Sequence, residues 1–477
     1  MVKREYGKNA VRKQGRNRRY SGDSERTVRI TADTPYGECS ERLTAFGGLL
    51  ALVKFLDLIG FEQAFTQHYV PPRRQAKLGG YRMVVGILML LFIGFQRLGH
   101  FVYVRTDPML CGILRVQVLP AVSTFWRYLG SMGIVQSGSL LRLGATLRRK
   151  VWALCDYRPR RVTVNIDTTV STVYGEIEGA RKGHNTKHRG KKGLRPVLCF
   201  LAETREYLCG TQRRGETMRN QEVARQIRQF RRLLPGHVRV VRVRGDGEFI
   251  GWDSVKACLD EGFCFIFGNK RCAPPFPEKG WYRHGEYEYN ECIYQPKDWE
   301  QPCRFVAMRI RKDQAGDRQL KLLESENYVY RVFVTNEESR PHRVIANYDD
   351  RADVENLIGE AQREGVLAIP SKRFQAHHAF FQIVMLAYNL WRWMKLLAGH
   401  AEQQKAPGNK IEDQAHITMP DHTIRIARLK MLYVAAKIRF HSNRDEVCYS
   451  VHEQRATQIK DFLAYLDRRR KEVRPAA

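Results

Sequence analysis

The stretch RVTVNIDTTV, residues 161–170, decides the fold class of this chain. Its apolar and polar residues alternate, so Val162, Val164 and Ile166 share one face of an extended segment. Asp167 lies on the opposite face, close to the end of the segment. This period of two predicts a half-buried β-strand that carries an acid near its C-terminal end.

Further segments place this strand in an ordered series. Two strand patterns, one helix pattern and a further strand pattern follow it: LRPVLCFLA (194–202), REYLCGTQ (205–212), NQEVARQIRQFRRLLPG (220–236) and VRVVRVRGDG (238–247). The order is β-β-β-α-β, with a second acid, Asp246, directly after the fourth strand. This arrangement is typical of ribonuclease H-like proteins, so we predict an α/β fold with a ribonuclease H-like catalytic core.

The rest of the chain divides by composition. An early stretch with apolar residues three and four positions apart predicts an all-helical domain, which either binds DNA or dimerises. An irregular, aromatic-rich stretch later in the chain predicts loops and short strands, after which the strand pattern YVYRVFVTN (328–336) resumes the core. The predicted parts are a basic disordered arm (1–35), the helical domain (36–155), the core (156–269 and 326–400), the β-rich insertion (270–325) and a C-terminal basic region (401–477).

Charge restricts the class of partner. The 477 residues include 81 Lys and Arg against 50 Asp and Glu, a formal net charge of +31. Such an excess indicates a large acidic partner, either nucleic acid or an anionic membrane. The longest apolar run, residues 83–95, is shorter than the ~20 residues that span a bilayer. We therefore expect nucleic acid as the partner and no membrane segment or signal peptide. The eleven scattered cysteines predict free thiols in a reducing cytosol.

Three acids form the predicted catalytic set. Asp167 and Asp246 lie at strand ends, and Glu355 lies on a helix predicted to begin near Tyr348. Converging carboxylates repel one another, and a pair of Mg²⁺ ions about 3.5–4 Å apart would relieve that repulsion and promote phosphodiester chemistry. Glu360 is the main competitor as the third ligand, although it points about 140° away from Glu355 on an ideal helix. Other nearby acids are Asp349, Asp350 and Asp353.

The helix pattern around Glu355 adds two residues to the predicted site. Tyr348, Arg351 and Glu355 follow an i, i+3, i+7 spacing and share one helix face. A tyrosine hydroxyl and an arginine fork beside a metal ligand suit a bound phosphate. The alternative is an ordinary surface ion pair between Arg351 and Glu355.

These motifs resemble DDE transposases of bacterial insertion sequences, in the branch with a Tyr-x2-Arg-x3-Glu-x6-Lys signature. The matching segments are YDDRADVENLIGEAQ (348–362), NIDTTVSTVYGEIEGARKGHNTKHRGKKGLRP (165–196), RVRGDGEFIG (242–251), RTDPMLCGIL (105–114) and VSTFWRYL (122–129). The resemblance implies a catalytic and metal-binding triad of Asp167, Asp246 and Glu355, with Tyr348 and Arg351 as signature residues. Gln362 departs from the signature lysine, with Arg363 beside it as a substitute DNA contact.

Further DNA contacts are predicted outside the signature. The basic cluster between the first two strands includes Lys187, Arg189, Lys191 and Lys192, and it either contacts phosphates or is a solvated loop. The resemblance also implies a β-rich insertion between Asp246 and Glu355, which residues 270–325 would form, and a tryptophan in such an insertion can stack on a flipped base. Trp299 is the predicted stacking residue, and Trp281 is a second candidate; packing in the protein interior is the alternative for both.

The predicted function is cut-and-paste DNA transposition. Metal-dependent hydrolysis at each transposon end would expose a 3′-OH, which would then attack target DNA. The expected cofactor is two Mg²⁺ ions, with Mn²⁺ able to substitute. The expected partners are the terminal inverted repeats, target DNA and a second copy of the chain in the synaptic complex, and the expected location is the cytoplasm, at the bacterial nucleoid. The alternatives are a ribonuclease H-like nuclease without strand transfer and an inactive DNA-binding relative.

Overall fold

The computed structural model describes residues 30–72, 77–183, 188–315, 323–324, 327–403, 419–441, 444–453 and 455–473. The chain forms two compact units, Met1–Glu41 and Arg42–Ala477. In the first unit, described from residue 30, Thr31 N donates to Thr34 Oγ1 in a turn, and residues 30–41 form neither helix nor strand. Most of the predicted basic arm lies outside the described residues.

Helices dominate the start of the second unit. Their bounds are α1 (Leu49–Leu58), α2 (Phe61–His68), α3 (Gly80–Phe92), a 3₁₀ helix (Leu98–Val104), α4 (Pro108–Leu114), α5 (Val122–Ser131) and α6 (Ile134–Leu154). The apolar run of residues 83–95 forms most of α3 and is buried on every side. One continuous apolar cluster joins these helices to later ones near the C-terminus. The region is not purely helical, because a short strand, β1 (Leu43–Thr44), pairs with a strand near the C-terminus.

A large mixed sheet forms the centre of the second unit. The strands of its first half are β2 (Arg161–Thr168), β6 (Val197–Leu201), β7 (Tyr207–Thr211), β8 (Val240–Gly245) and β9 (Cys264–Gly268). They lie in the order β7-β6-β2-β8-β9. The β2 strand pairs antiparallel with β6 and parallel with β8, and β8 pairs parallel with β9. Apolar residues on both faces of β6 explain why this strand is fully buried, whereas β8 carries Arg242 and Arg244 on one of its faces.

Helices and small strands surround this half of the sheet. The helices are α7 (Asn220–Ile227), α8 (Phe230–Leu233) and α9 (Trp252–Asp260). The strands β3 (Ser171–Thr172), β4 (Arg181–Lys182) and β5 (Lys192–Leu194) form a separate sheet of order β3-β5-β4. This small sheet lies in the connection between β2 and β6, so it carries part of the predicted basic cluster.

The segment from Tyr282 to Thr335 extends the same central sheet. Its elements are β10 (Tyr282–His284), β11 (Tyr287–Tyr294), β12 (Cys303–Arg311), α10 (Lys312–Ala315), β13 (Leu323–Glu324) and β14 (Tyr328–Thr335). β14 pairs antiparallel with both β9 and β12, and the sheet continues from β12 to β11 and β10. β11 and β12 are regular paired strands, longer than the loops and short strands expected from the irregular sequence.

The helix predicted to begin near Tyr348 is segmented and starts earlier. It consists of α11 (Pro341–Asp349), a 3₁₀ turn (Asp350–Ala352), α12 (Asp353–Ala361) and a π-helical segment (Gln362–Val366). Proline favours the first turn of a helix, since its missing N–H has no partner there, and Pro341 stands at that position. The 3₁₀ turn falls between Tyr348 and Glu355, so the ideal α-helical spacing used to align them does not hold.

The remaining elements are α13 (Phe374–Gln403), α14 (Ile424–Met431), β15 (Ala436–Phe440), β16 (Asp445–Tyr449) and α15 (Arg455–Val473). α13 is apolar nearly all round and is buried along most of its length, as its sequence predicts. α15 is the predicted basic helix, and its Arg470 pairs with Asp57 of α1 at 2.6 Å. Among the described residues, no helix combines the length and apolarity needed to cross a membrane.

Candidate active site

Two acids meet at the carboxyl ends of neighbouring parallel strands. Ile166 of β2 is in register with Gly245 of β8. Asp167 and Asp246 each follow these residues by one position, so the parallel register places the two acids side by side. Both line an open cavity of about 820 Å³. The strand pattern therefore predicted both acids and their shared edge of the sheet correctly.

Arg351 joins this pair of acids. Its guanidinium forms an ion pair with Asp167 Oδ2 at 3.0 Å and donates to the Ile166 carbonyl at 3.2 Å. The surface pair with Glu355, considered as the alternative, is wrong, because Arg351 is buried and bonded to Asp167. Burial raises the pKa of Asp167 to about 6, and the charge of Asp246 acts in the same direction against the lowering effect of Arg351.

Tyr348 packs beneath the same site. Its ring lies 4.5 Å from the Phe333 ring of β14, and the Arg351 guanidinium lies 6.0 Å from the Tyr348 ring centre. Burial raises the pKa of the Tyr348 phenol, so the phenol keeps its proton and acts as a hydrogen-bond donor. The structure thus brings both predicted signature residues next to the acids.

Glu355 is not among the residues that line the cavity. It is exposed on the first turn of α12, and its negative charge raises the pKa of Asp167. Its competitor Glu360 is buried elsewhere, where it pairs with Arg392 and accepts a hydrogen bond from Ile424 N at 2.7 Å. Of the other nearby acids, Asp349 pairs with Arg331 and Asp353 with Arg205, whereas Asp350 is exposed in the 3₁₀ turn.

Glu248 is a cavity residue that sequence reasoning missed. It pairs with Arg195 at 2.5 Å, and its other carboxylate oxygen, Oε1, is buried with no hydrogen-bond partner among the described residues. Its backbone N–H donates to Asp246 Oδ1 at 3.0 Å, which holds the second acid in place. The sequence feature that could have identified Glu248 is its position two residues after Asp246, in the same turn.

Two cations line the same cavity as the acids. Lys270 and Arg271 follow β9, and both are exposed at the cavity wall. Lys270 lies across Gly247, where an added Cβ would be 2.6 Å from the lysine Cγ, so the close approach requires glycine. Asn269 anchors this turn by accepting from the N–H groups of Arg271 and Cys272. These cations were also missed, because only the sheet order brings the end of β9 beside Asp246.

The predicted basic cluster lies at the edge of this cavity. Arg189, Lys191 and Lys192 are exposed, but none of them lines the cavity, whereas the neighbouring His188 does. Lys192 lies 3.7 Å from Glu176 in an exposed pair. Lys187 lies outside the described residues.

The departure from the lysine signature has a structural counterpart. Gln362 Nε2 donates to Thr169 Oγ1 at 2.6 Å, and Thr169 lines the cavity. Gln362 is therefore engaged with the protein itself. Arg363, the predicted substitute, is exposed, and its carbonyl accepts from Gln96.

Trp299 does not provide the predicted exposed platform for a base. It is 7 % exposed, and its ring centre lies 5.7 Å from that of Trp252 and 5.9 Å from that of Phe305. Burial in this apolar cluster outweighed exposure, so the packing alternative is the observed one. Trp281 is also engaged, with the Arg309 guanidinium 4.0 Å from its ring centre.

The donor set of the cavity fits a divalent cation. Asp167, Asp246 and the unpartnered Glu248 oxygen provide hard oxygen atoms, which Mg²⁺ prefers. In the part of the chain that the structure describes, no group of three or more His, Cys, Asp or Glu side chains is arranged to hold an ion. Two carboxylates are nevertheless enough for Mg²⁺, which keeps water ligands and binds substrate phosphates.

Comparison with known proteins gives this site a family. The family model described as transposase DDE domain group 1 matches residues 38–471. The chain belongs to this family of DDE transposases. A search of curated proteins finds no match. Among solved structures, the chain is similar to the cryo-EM structure of a piggyBac transposase synaptic complex with hairpin DNA, with 9% identity, 78% of this chain and 86% of that chain covered, and a TM-score of 0.36.

Family membership confirms the recognised resemblance and the predicted activity. This DDE transposase is an enzyme of cut-and-paste DNA transposition, and DNA is its partner. The matched range covers the helical region, the central sheet and the C-terminal helix together.

Proposed function

We propose that this DDE transposase cleaves a phosphodiester bond at each transposon end in the cavity of Asp167 and Asp246. The freed 3′-OH then attacks target DNA at the same site. The observation that carries this proposal is the position of these two acids at adjacent strand ends, in a cavity that Lys270 and Arg271 also line. Acids suit a metal and cations suit the DNA phosphates, so the cavity contains both requirements of phosphoryl transfer.

We also propose that β2, β6, β7, β8 and β9 form a ribonuclease H-like core, preceded by a helical region. Support comes from the strand order β7-β6-β2-β8-β9, with an antiparallel first half and parallel pairs to β8 and β9. The strands β10 to β13 would then be the β-rich insertion, and β14, which pairs with both β12 and β9, would return the chain to the core.

The metal site of the proposal is formed by Asp167, Asp246 and Glu355, with two Mg²⁺ ions that Mn²⁺ can replace. When bound, the metal supplies Lewis acidity and a water of lowered pKa. Arg351 orients the Asp167 carboxylate through its 3.0 Å ion pair. Glu355 would have to approach from its exposed position on α12, and its electrostatic effect on Asp167 supports this role.

The substrate side of the proposal involves the cations around the cavity. Lys270 and Arg271 would hold phosphates next to the scissile bond, with Arg189, Lys191, Lys192 and Arg363 along the flanking DNA. The Tyr348 phenol would keep its proton and donate a hydrogen bond to a phosphate oxygen. Water and the 3′-OH serve as the successive nucleophiles, so no covalent protein–DNA bond is needed.

The partners of the reaction are terminal inverted repeats and target duplex DNA. Two ends must meet before strand transfer, and we infer a homodimer in the synaptic complex, located in the cytoplasm at the bacterial nucleoid. The net charge of +31 supports binding to long DNA.

The decisive experiment incubates the protein with a linear DNA carrying its flanking inverted repeats, a target plasmid and Mg²⁺. We expect end cleavage and strand-transfer products from the wild type and neither from Asp167→Ala or Asp246→Asn. Asp260→Asn is the matched control, since this acid forms only a half-exposed 3.7 Å pair with Arg228 outside the cavity. Cleavage without joining would favour a nuclease. No cleavage by the wild type would favour an inactive relative, and cleavage by Asp167→Ala would disprove the site.

The third ligand is tested separately. Glu355→Gln and Glu248→Gln are compared under the same conditions, with product formation followed against Mg²⁺ and Mn²⁺ concentration. If Glu355 is the ligand, its variant alone loses cleavage by about a hundredfold or more, the scale of losing a catalytic group. If only Glu248→Gln loses cleavage, the buried Glu248 oxygen is the third ligand and the family-derived assignment of Glu355 is wrong.

A further inference from the structure

The helical region carries an unusual distribution of charge. Residues 63–155 contain twelve Lys and Arg residues but a single acidic residue, Asp107. Asp107 is engaged internally: it accepts from the N–H groups of Met109 and Leu110 at 3.0 Å and from Thr44 Oγ1 at 2.8 Å. A polyanion approaching this region therefore meets almost no opposing carboxylate. The N-terminal arm, which the sequence suggested first, mixes acids with its basic residues.

Within this region, α5 (Val122–Ser131) exposes a mixed aromatic and basic face. Its apolar side packs inward through Phe125, whose ring stacks on Phe101 at 4.0 Å between centres. Ser123, Trp126 and Arg127 lie three and four residues apart, so they share the opposite face, and all three are exposed. Trp126 is 49 % exposed, although a side chain of this size is usually buried.

Two further exposed side chains lie close to α5 in the chain before it. Arg105 is exposed, and its Nε donates at 3.1 Å to the carbonyl of Leu119, in the segment that leads into α5. Tyr103, 78 % exposed, belongs to the 3₁₀ helix (Leu98–Val104), whose Phe101 stacks on Phe125 of α5. Arg105 and Arg127 form no ion pair with an acid in the described part of the chain. We call Tyr103, Arg105, Ser123, Trp126 and Arg127 the α5 surface.

We propose that the α5 surface binds the duplex DNA of the transposon end, with α5 lying in a groove. The inference rests on the proposed function and names the element that recognises the substrate. A helix of about 10–12 Å diameter fits a major groove of about 12 Å width. Arg127 supplies a guanidinium fork to a base edge or phosphate, and Trp126 supplies apolar contact to a thymine methyl or sugar. With Asp107 as the single acid of residues 63–155, this part of the chain offers little repulsion to the flanking phosphates.

The test measures binding apart from cleavage. Fluorescence anisotropy of the full chain is recorded with Ca²⁺ in place of Mg²⁺, on a labelled duplex of the flanking inverted repeat and on a shuffled duplex of equal composition. The variants are Arg127→Ala, Trp126→Ala and the double variant. Arg225→Ala is the control, because Arg225 is an exposed cation on α7 in the catalytic half of the chain. Thermal melts verify folding, which exposed substitutions should leave unchanged.

We expect Arg127→Ala and Trp126→Ala each to weaken binding to the inverted repeat by about tenfold, and Arg225→Ala to leave it unchanged. If Arg127 contacts a phosphate, the dependence of log Kd on log salt also falls by about one. If the double variant binds both duplexes as the wild type does, the inference is overturned, even where the wild type cleaves ends normally. A double variant that alters only the oligomeric state, with DNA affinity intact, also overturns it and marks the α5 surface as a protein interface. Absence of cleavage by the wild type, with binding lost in the double variant, overturns the proposed function alone.

Discussion

Replacing Glu206 with glutamine tests how strongly a buried carboxylate ties the helical region to the central sheet. Glu206 is fully buried at the start of β7 and accepts three hydrogen bonds of 2.7 Å, from Arg148 Nε, Trp152 Nε1 and Trp393 Nε1. These donors come from α6 and α13, so one side chain holds three elements together. An amide has the same shape, but it has only one acceptor oxygen and presents N–H groups towards donors.

The expected loss of stability follows from this geometry. Arg148 is 1 % exposed, and Glu206 is its only carboxylate partner among the described residues, although two carbonyls also accept from it. Glu206→Gln therefore leaves a buried cation without compensating charge, which typically destabilises a protein by about 3–5 kcal/mol. This is a large part of the roughly 5–15 kcal/mol that usually separates folded from unfolded states.

The assay is urea unfolding followed by tryptophan fluorescence and far-UV circular dichroism, because two of the donors are indoles. The double variant Glu206→Gln with Arg148→Met removes both charges, and we expect it to recover most of the loss. Glu216→Gln is the matched control, since its 3.5 Å pair with Arg181 is more than half exposed, and we expect a change below about 1 kcal/mol. A loss below about 1 kcal/mol for Glu206→Gln, or no recovery in the double variant, would refute the reasoning.

Three further predictions follow from the structure. Burial, with the nearby positive charges of Arg392 and Arg205, lowers the pKa of Lys395 from 10.5 to about 6. Between these two pH values the amine is neutral in the folded state and protonated in the unfolded state. The free energy of unfolding therefore falls as the pH drops from 10.5 towards 6. Lys395→Met should remove this loss, which reaches about 5 kcal/mol at pH 7, and differential scanning calorimetry at pH 7 and 9 should show a smaller shift in Tm for the variant than for the wild type. Lys270→Ala should raise the KM for end DNA by about tenfold with the fold unchanged, and Lys270→Arg should restore the KM. Gel-based cleavage kinetics at two salt concentrations would measure this change. An unchanged KM in Lys270→Ala would show that the lysine only packs on Gly247. Arg351→Lys keeps a charge but loses the fork that spans Asp167 and the Ile166 carbonyl, so single-turnover cleavage should fall by about tenfold or more; an unchanged rate would show that orientation of Asp167 does not need a guanidinium.

Much of the catalytic edge could be predicted from local patterns. The alternation of apolar and polar residues around Asp167 and the strand that ends before Asp246 are properties of neighbouring residues. A period of two places the apolar residues on one face, which packs into the core, and Asp167 on the other. Both acids were therefore correctly placed at strand ends. The helix after the insertion was predicted less well, because nothing local signals a 3₁₀ turn between Asp349 and Asp353.

By itself, the sequence determined the class of partner, the series of strands, the two acids at the strand ends and the family signature of Tyr348 and Arg351. These depend on charge and on short-range periodicity, which a single chain carries without reference to its fold. Only the tertiary structure decided that Arg351 pairs with Asp167 and that Lys270 packs on Gly247, next to Asp246. It also decided that the rings of Trp281 and Trp299 pack against other side chains of the protein. Such contacts join residues that are far apart in the chain. Many side chains of similar chemistry could be buried, and which of them are buried is decided only when the sheet and the helices pack together.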